Sequence, residues 1–519
     1  LDANYEKVNL SEAASHWKHL TYNERKVMLK CLQKYPQAFK GRLGTLKIKP
    51  VRLEIEADAE PYHARPFQVP RSLEGTTKRE INRLETIGVL EKNHDSEWAA
   101  PTFVVPKKMG DVCIVTDFRQ LNKVIKRKPF LLPKKADLLQ KLDGFQYATA
   151  MDLSMGYYHV PLDEKSQELC TTILPWGKYR YKGLPMGIKN SPDIFQKIMN
   201  DILGDLEFAR AYIDDILITS SATFEDHARK VDAVLSLLAE AGFVVNVNKS
   251  HFAMDQIDCL GYWLTRDGIQ PQHKKVEAIQ RLEPPKTKRQ LRKFLGMINY
   301  YRDMWQRRSH ILAPLTAMVS NKAKFVWDDT CQKAFDKIKE VISRETLLAF
   351  PDFEKEFHIY TDASNYQLGV VIMQDDKPLA FYSRKLKDAQ KKYTTGEKEL
   401  LSIVETLKEF KNILWGQKLI VHMDHKNILY DKMASKRVCR WRTMLEEYGA
   451  EFVHIAGEHN VIADALSRLD ARWADDAYDE FDEVPELINV MEAYPITQQE
   501  IKETAFPIFP PLIKIYQQK

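Results

Sequence analysis

Two adjacent carboxylates interrupt a strongly apolar part of this 519-residue chain. Asp214 and Asp215 follow residues 211–213 and precede residues 216–219, and both flanks have the composition of β-strands. The pair therefore predicts the tip of a β-hairpin packed against a core. Half-buried, ionised carboxylates need a cation nearby, so the pattern favours a metal site. A solvated turn is the alternative, because Asp is a common turn residue.

Size and composition exclude several classes of protein. The length predicts roughly three or four domains, and 44% hydrophobic residues supply a core for each. No run of about 18 apolar residues is present to cross a bilayer, so we expect no membrane partner. The six cysteines form no C-x-x-C pair, which argues against zinc ribbons and disulfide frameworks and favours a reducing compartment.

Charge is distributed unevenly along the chain. Residues 471–519 contain ten acidic and four basic residues, although the whole chain carries a net charge of +5. The first 470 residues are therefore basic, which favours a polyanionic partner, while a modest Lys excess also serves solubility.

Basic, aromatic-containing helices are predicted after Pro284. Basic side chains beside aromatic rings are typical of proteins that bind single-stranded nucleic acids or nucleic-acid hybrids. An ordinary solvated helix face is the alternative. The candidate phosphate contacts are Arg289, Arg292 and Lys293, and the candidate stacking residues are Tyr300, Tyr301 and Trp305.

A third carboxylate is predicted to join the acidic pair. Asp152 ends the strand-like segment 148–152, 62 residues before Asp214, which is far enough to bring a neighbouring strand of the same sheet alongside the hairpin. Two Mg²⁺ ions about 4 Å apart in such a cluster activate a hydroxyl and neutralise a leaving pyrophosphate. The pattern therefore favours phosphoryl transfer.

Several ordered motifs resemble those of one enzyme family. Residues 151–158, 184–192, 212–215 and 260–262 resemble successive motifs of a reverse transcriptase, and residues 294–302 resemble the gypsy-type branch of LTR retrotransposon Pol polyproteins. The resemblance covers roughly residues 40–470, and several motifs in family order make coincidence a poor explanation.

The resemblance implies a polymerase site with two Mg²⁺ ions, with Mn²⁺ as an alternative. It makes Asp152 and Asp214 the main metal ligands, with Asp215 assisting and the Leu153 carbonyl as an extra ligand. Tyr157 matches the steric gate that excludes a ribose 2′-hydroxyl, so the enzyme would take dNTPs. A core aromatic is the alternative for this tyrosine.

The resemblance also implies residues that hold the substrates. The dNTP pocket would contain Lys107, Lys108, Arg119, Tyr157 and Met186, and the primer grip would be Leu260, Gly261 and Tyr262. One position departs from the family, which usually carries Arg where this chain has Cys113. A thiol lacks the positively charged guanidinium with which Arg can bind a phosphate through two hydrogen bonds. We therefore expect weaker nucleotide binding.

A second acidic set lies in the last third of the chain. Asp362 and Asp424 each end a strand-like segment, and a helix predicted from about Gly396 to Leu414 places Glu399 at the edge of its apolar face. Glu397 is the alternative acid of that helix, and Asp464 is expected early in a last helix. This order resembles the RNase H fold, whose two metal ions activate water to cut the RNA strand of an RNA:DNA hybrid.

Basic residues of the same region are candidates to hold the hybrid's phosphates. They are Arg437, Arg440 and Trp441, together with Lys436 and Arg442. A solvated helix face is the alternative for each of them.

These observations predict an α+β chain, a right-hand polymerase (fingers, palm and thumb) followed by an α/β RNase H-like domain. The predicted domains are a helical extension (1–45), fingers and palm (46–265), a helical thumb (266–321), a short tether (322–355), the RNase H-like domain (356–469) and an acidic linker toward an integrase (470–519).

The predicted function is templated DNA synthesis with RNase H cleavage during retrotransposon replication. The expected partners are an RNA template, a DNA primer/template, an RNA:DNA hybrid and dNTPs, and a homodimer is allowed for. The expected location is the cytoplasm, within virus-like particles, with the nucleus as an alternative. Two other hypotheses are a catalytically silent scaffold subunit that binds nucleic acid and an RNA-dependent RNA polymerase, which the Tyr157 gate and the RNase H half disfavour.

Overall fold

The computed structural model describes most of the chain up to residue 454. The described residues are 9–40, 43–106, 111–133, 135–140, 142, 144–305, 308–319, 323–343, 347–423 and 436–454. Among them, contacts define two compact units: residues up to 133 with residues 146–254, and residues 135–145 with residues from 255 onward. None of the described helices combines the length and apolar character that a membrane crossing requires.

Helices and strands are numbered in chain order. Up to residue 254 they are α1 (Leu10–Ser15), α2 (Tyr22–Gln33), α3 (Arg71–Thr86), β1 (Leu90–Lys92), β2 (Ala100–Pro106), β3 (Val112–Thr116), α4 (Arg119–Val124), α5 (Lys135–Gln140, in the second unit), β4 (Tyr147–Asp152), α6 (Glu164–Leu169), β5 (Thr171–Leu174), β6 (Gly177–Tyr181), α7 (Ser191–Leu203), β7 (Ala209–Tyr212), β8 (Asp215–Ser220), α8 (Phe224–Ala241) and β9 (His251–Met254).

The second unit continues the numbering. Its elements are β10 (Gln256–Cys259), β11 (Tyr262–Thr265), β12 (Gly268–Pro271), α9 (His273–Gln280), α10 (Lys288–Asn299), α11 (Arg308–Ala317), α12 (Asp329–Ser343), β13 (Phe357–Ala363), β14 (Gln367–Gln374), β15 (Lys377–Lys385), α13 (Asp388–Lys391), α14 (Thr395–Glu409), α15 (Lys411–Leu414), β16 (Leu419–Met423), α16 (Lys436–Tyr448) and β17 (Glu451–His454).

The first unit contains two sheets. One has the order β7-β8-β4-β9, with every pair antiparallel, and α7 and α8 pack against it. The other has the order β1-β6-β5-β2-β3 and includes the antiparallel pair of β2 and β3. Helices α1 and α2 also belong to this unit, where Trp17 packs against Phe252 with ring centroids 5.3 Å apart.

The sequence of helix α8 accounts for its first turn, its last turn and its buried face. The Thr223 hydroxyl accepts the Asp226 backbone N–H at the first turn, and Gly242 ends the helix with φ of 98°. Apolar residues at helical spacing, of which Val231 and Leu238 are examples, are fully buried against the sheet. Burial of about 1.5–3 kcal/mol per large apolar side chain stabilises this layer.

The second unit also contains two sheets. Strands β10, β11 and β12 form an antiparallel meander. The larger sheet has the order β15-β14-β13-β16-β17, in which β13 pairs antiparallel with β14 and parallel with β16. Helix α14 packs on β13 and β14 through Ile403 and Leu407, which lie against the buried Phe357 and Ile359.

Three segments differ from their predicted structure. The helix expected from Gly396 to Leu414 divides at Phe410, whose φ of −104° is not helical; an apolar stripe that continues on both sides cannot reveal such a bend. The predicted thumb begins with strand β12 rather than a helix. The predicted tether contains α12, whose Phe335 packs on Phe294 with centroids 4.8 Å apart. The domain boundaries themselves stay predictions.

Candidate active site

Strands β7 and β8 build the acidic hairpin, with Tyr212 paired opposite Asp215. Only Ile213 and Asp214 remain for the turn, and Ile213 adopts φ of 56°. The left-handed conformation costs a β-branched residue roughly 1–2 kcal/mol. The predicted hairpin tip is therefore present, and the surrounding structure must hold it against this strain.

The three predicted carboxylates meet at one end of the sheet. Strand β4 pairs with β8 so that Asp152 lies opposite Asp215, and the Leu153 backbone N–H donates to the Asp214 carbonyl at 3.4 Å. Asp152 and Asp214 are half-buried, whereas Asp215 is exposed. The Leu153 side chain is buried, and the role of its carbonyl stays a prediction.

The carboxylates of Asp152 and Asp214 resist ionisation in this setting. Burial raises the pKa of Asp214, against the opposing effects of its own backbone N–H and of Lys249. Burial also raises the pKa of Asp152, where Lys249 opposes the shift and the negative charge of Asp214 adds to it. A cation between the two acids would remove both the desolvation penalty and their repulsion.

The donor set fits Mg²⁺. In the described part of the chain, no three His, Cys, Asp or Glu side chains form a ready metal-binding group. Mg²⁺ does not require one, because it usually binds one or two carboxylates and completes its shell with water and substrate phosphates. Asp152 and Asp214 supply that number of carboxylates.

The turn that follows α8 forms hydrogen bonds with the backbone of Asp152. The Asp152 backbone N–H donates to the Ser250 hydroxyl at 3.1 Å, and its carbonyl accepts the Asn246 N–H at 2.8 Å. Ser250 donates in turn to the Asn246 carbonyl at 2.7 Å. The same turn carries Lys249, which supplies positive charge to both acids.

Gln196 of α7 holds the strained hairpin turn. Its side chain is fully buried, its Oε1 accepts the Ile213 N–H at 2.8 Å and its Nε2 donates to the Ala211 carbonyl at 3.0 Å. Both bonds are to the backbone where the chain enters the turn, since Ala211 lies in β7 and Ile213 is the first turn residue. Gln196 therefore fixes the conformation that presents Asp214.

Replacing Gln196 with alanine should lower the polymerase kcat by about 10- to 100-fold, because displacing a reacting group by about 1 Å has effects of this size. The unpaired Ile213 N–H should also lower the free energy of unfolding by roughly 1–3 kcal/mol. Steady-state primer extension and denaturant unfolding measure the two effects. The KM for primer/template should stay unchanged.

Gln374 provides a matched control for this substitution. It is also buried, accepts the Asp352 N–H at 2.9 Å and donates to the Asp352 carbonyl at 2.8 Å. Gln374→Ala should cost similar stability and leave polymerase kcat intact. Equal losses of kcat in the two variants would mean that the Gln196 effect is general destabilisation.

Tyr157, the predicted gate, lies beside the acidic cluster. Its ring packs on Phe195 with centroids 5.0 Å apart, and it is half-buried rather than enclosed. Burial raises the pKa of its hydroxyl, and the charge of Asp214 adds to the shift. The neutral ring is thus fixed next to the carboxylates, which is compatible with the predicted role.

The other predicted dNTP residues are placed only in part. Arg119 is exposed and forms an ion pair with Asp117 at 2.6 Å, and Met186 is half-buried. Cys113 lies on β3 opposite Val105. Lys107 and Lys108 lie outside the described residues.

The predicted primer grip is the turn between β10 and β11. Leu260 has φ of 50° and Gly261 φ of 81°. The hydroxyls of Tyr300 and Tyr301 donate to the Leu260 and Gly261 carbonyls, the second at 2.8 Å. Tyr262 stacks on Tyr300 with centroids 5.3 Å apart. The turn is thus held from one side by tyrosines that directly follow α10.

Two aromatic residues predicted to stack on bases are instead part of the core. Tyr301 and Trp305 are each 1% exposed, so their rings are not available to a nucleic acid. The interpretation was wrong because amphipathic spacing does not separate a stacking ring from a core ring. Of the predicted basic contacts, Arg289 and Arg292 are exposed and Lys293 is half-buried.

The second acidic set is described in part. Strands β13 and β16 run parallel, so their carboxyl ends lie at the same edge of the sheet. Asp362 is the next-to-last residue of β13, although the structure describes only its backbone. Glu399 is 1% exposed and belongs to α14, which packs against β13. Asp424 and Asp464 lie outside the described residues.

Glu397, the alternative acid, has other partners. It accepts the Thr394 N–H at 3.1 Å in a capping box and pairs with Arg437 at 2.7 Å. Arg437 also lies 3.8 Å from the Tyr393 ring centroid. Of the other predicted hybrid contacts, Arg440 is exposed and Trp441 is half-buried.

Two family matches cover separate parts of the chain. Residues 105–264 match the family described as reverse transcriptase (RNA-dependent DNA polymerase), and residues 327–421 match the RNase H-like domain found in reverse transcriptase. Residues 105–264 therefore belong to the reverse transcriptase family. The first match contains all three carboxylates of the hairpin cluster, and the second contains Asp362 and Glu399.

Retrotransposon proteins are similar to this chain over most of its length. It is 32% identical over 473 residues to the retrovirus-related Pol polyprotein from transposon opus of Drosophila melanogaster, covering 86% of this chain and 47% of the relative. It is 31% identical over 438 residues to the transposon Tf2-3 polyprotein of Schizosaccharomyces pombe, covering 81% of this chain and 33% of the relative. The chain thus spans about half, or less, of the length of these relatives.

Solved structures share the fold. The foamy viral protease-reverse transcriptase dRH in complex with double-stranded DNA matches with a TM-score of 0.78 and 23% identity, covering 86% of this chain and 82% of that one. The same viral enzyme in complex with an RNA/DNA hybrid matches with a TM-score of 0.75 and 22% identity, covering 92% of this chain and 66% of that one. The predicted fold class, a right-hand polymerase followed by an RNase H-like domain, is confirmed.

The sequence of this chain did not reveal the residues that support the acids. Gln196, Lys249 and Ser250 were not predicted to belong to the site. The available signal for Gln196 was a polar residue among the apolar positions Phe195 and Met199 of the segment that forms α7. Ser250 gave no comparable signal, because its contact with Asp152 spans 98 residues of sequence.

Proposed function

We propose that this chain is an RNA- and DNA-templated DNA polymerase that also cleaves the RNA strand of RNA:DNA hybrids during retrotransposon replication. The observation that carries the proposal is the meeting of Asp152, Asp214 and Asp215 at one sheet end, inside the segment that matches reverse transcriptases. Its partners would be an RNA template, a DNA primer/template and dNTPs.

In the proposed polymerase site, Asp152 and Asp214 hold the metal and Asp215 assists. When bound, the two Mg²⁺ ions lower the pKa of the primer 3′-hydroxyl and neutralise the leaving pyrophosphate. Gln196 and Ser250 keep the carboxylates in place through the backbone. The Tyr157 ring, packed on Phe195, occupies the space a 2′-hydroxyl needs, so dNTPs are selected.

In the proposed RNase H site, Asp362, Glu399, Asp424 and Asp464 form the acidic set. Support comes from the match over residues 327–421, from the parallel pairing of β13 and β16 and from the buried position of Glu399. Such a set binds two Mg²⁺ ions that activate water for cleavage. The cytoplasmic location within virus-like particles and the homodimer stay predictions.

Primer extension tests the proposal directly. Purified protein with Mg²⁺, an RNA template and a DNA primer should incorporate dNTPs, and a labelled RNA:DNA hybrid should lose its RNA strand. Absence of incorporation with wild-type protein would contradict the polymerase assignment and favour a silent scaffold. If Asp362→Asn protein still degrades the hybrid's RNA, the RNase H assignment is wrong.

Replacing Cys113 with arginine should lower the KM for dNTPs roughly tenfold, because a charge-assisted hydrogen bond to a phosphate contributes about 1.5–3 kcal/mol. Cys113 is half-buried on β3, next to the segment with Lys107 and Lys108. Steady-state kinetics at saturating primer/template measure the change. Cys439→Arg, at an exposed position of α16, should have no effect. An unchanged KM in Cys113→Arg would contradict the assignment.

A further inference from the structure

Tyr158, the residue after the proposed gate Tyr157, contacts a second tyrosine. Its ring stacks on Tyr181 of β6 with centroids 5.9 Å apart and an angle of 15° between the ring planes, and the two side chains share a hydrogen bond. Tyr181 is 3% exposed, and burial raises the pKa of its hydroxyl to about 12, so the group stays protonated. The two adjacent tyrosines therefore have different neighbours, since Tyr157 packs on Phe195.

The Tyr181 hydroxyl also contacts strand β3. It lies 3.0 Å from Thr116 Oγ1, and the Thr116 hydroxyl donates in turn to Thr172 Oγ1 of β5 at 3.2 Å. Two strands separate β6 from β3 in their sheet, so this side-chain bond joins elements that do not pair through their backbones. Thr116 belongs to the same strand as Cys113. The hydroxyls therefore connect the turn that bears Tyr157 to the strand that bears Cys113.

The turn that bears Tyr157 has an unfavourable backbone conformation. Met155 has φ of 53°, in the left-handed region that disfavours residues with a side chain. Its carbonyl accepts the Tyr158 N–H at 2.9 Å. The Tyr158 carbonyl lies so close to Gly183 that a Cβ at residue 183 would overlap it. The turn therefore lies directly against the segment that follows β6, and Tyr158 is the side chain that joins it to that strand.

We propose that Tyr181 is a positioning residue for nucleotide selection, because its hydroxyl holds Tyr158 and thereby fixes the Tyr157 ring where a ribose 2′-hydroxyl would otherwise fit. This inference rests on the proposed polymerase function and adds to it a residue that does not touch the nucleotide. Functional side chains need to be held within about 0.5 Å by packing and by hydrogen bonds of their neighbours. Phe195 supplies the packing for the gate, and Tyr181 supplies the hydrogen bond for its turn.

The metal-binding carboxylates are supported by other residues. Gln196 holds the turn of Asp214, and Ser250 holds the backbone of Asp152. Loss of the Tyr181 hydroxyl should therefore change which nucleotide is accepted and leave the rate of the chemical step unchanged.

The ratio of kcat/KM for a dNTP to kcat/KM for the matching rNTP tests the inference. Tyr181→Phe keeps the ring and removes the hydroxyl, so it should lower this ratio about three- to tenfold, the effect of losing one hydrogen bond. The fall should come from a lower KM for the rNTP, with kcat for the dNTP unchanged. Tyr158→Phe removes the other hydroxyl of the same bond and should also lower the ratio. The double variant should be no worse than Tyr181→Phe, because both changes break one shared interaction.

Tyr179→Phe is the matched control. Tyr179 lies on the same strand and is also 3% exposed, and its hydroxyl bonds to the Trp176 side chain. Tyr179→Phe should lose a similar free energy of unfolding in denaturant and keep the wild-type ratio. A wild-type ratio in both Tyr181→Phe and Tyr158→Phe would overturn the inference, and so would an equal fall of the ratio in Tyr179→Phe.

Nucleotide binding without turnover separates this inference from the proposed function. A primer that lacks a 3′-hydroxyl cannot be extended, so the dNTP and rNTP concentrations that stabilise its complex with template and enzyme report nucleotide preference alone. A preference for dNTPs that falls in Tyr181→Phe would support the inference even if wild type failed to extend an ordinary primer, which would contradict only the proposed polymerase function. A wild type that binds dNTPs and rNTPs equally would contradict the gate and this inference together.

Discussion

Replacing Asp214 with asparagine should reduce dNTP incorporation by about 10³-fold, a loss of roughly 4 kcal/mol of transition-state stabilisation. The carboxylate is half-buried at the hairpin tip, close enough to Asp152 for its charge to raise that group's pKa. An amide of the same shape cannot supply the charge that holds a divalent cation. Single-turnover primer extension measures the loss, and RNA cleavage by the same protein should be unchanged.

Measuring the stability of Asp214→Asn distinguishes a loss of catalysis from a loss of folding. Because burial raises the pKa of Asp214 above its unfolded value, the folded state binds the proton more tightly. The free energy of unfolding of metal-free wild type should therefore fall as pH rises above about 4, and this slope should be smaller in Asp214→Asn, where the buried Asp152 still contributes to it. Mg²⁺ should raise the Tm of wild type more than that of the variant.

Asp205→Asn is the matched control, because Asp205 is exposed in the loop before β7. It should extend primers at the wild-type rate and keep the Mg²⁺-dependent rise in Tm. If Asp214→Asn retains incorporation within a few-fold of Asp205→Asn, then Asp214 is not a metal ligand of the reaction.

Local sequence patterns predicted the elements that bear the acids. The apolar flanks of Asp214 and Asp215 predicted a hairpin, which β7 and β8 form. The segment ending in Asp152 became β4, paired in register with β8. Each of these two predictions depended only on a residue composition typical of strands and on the polar residue that interrupts it. The local pattern is sufficient because it fixes where a strand ends.

Tertiary contacts explain what the sequence did not reveal. The Gln196 bonds to the hairpin join α7 to a turn 17 residues later, and nothing in a helical pattern states which side chain will reach a backbone amide. Burial of Tyr301 and Trp305 likewise depends on neighbouring elements. The bend at Phe410 follows the same rule, since an apolar stripe is compatible with one helix or two.

Exchanging Glu399 for glutamine should lower RNA cleavage in a hybrid by about 10²- to 10³-fold and leave DNA synthesis unchanged. Glu399 is 1% exposed, and α14 packs on the strand that ends at Asp362 and Ala363. Burial of a carboxylate costs free energy, and a bound cation would offset that cost. Cleavage of a labelled hybrid and primer extension, measured on the same preparation, report the two activities.

Glu397→Gln decides between the two acids of α14. Glutamine at this position keeps the capping box with Thr394 and loses the partly exposed ion pair with Arg437, worth about 1 kcal/mol or less. Hybrid cleavage should therefore stay within a few-fold of wild type. Abolished cleavage in Glu397→Gln with retained cleavage in Glu399→Gln would move the metal-binding role to Glu397. It would also mean that the burial of Glu399 is structural.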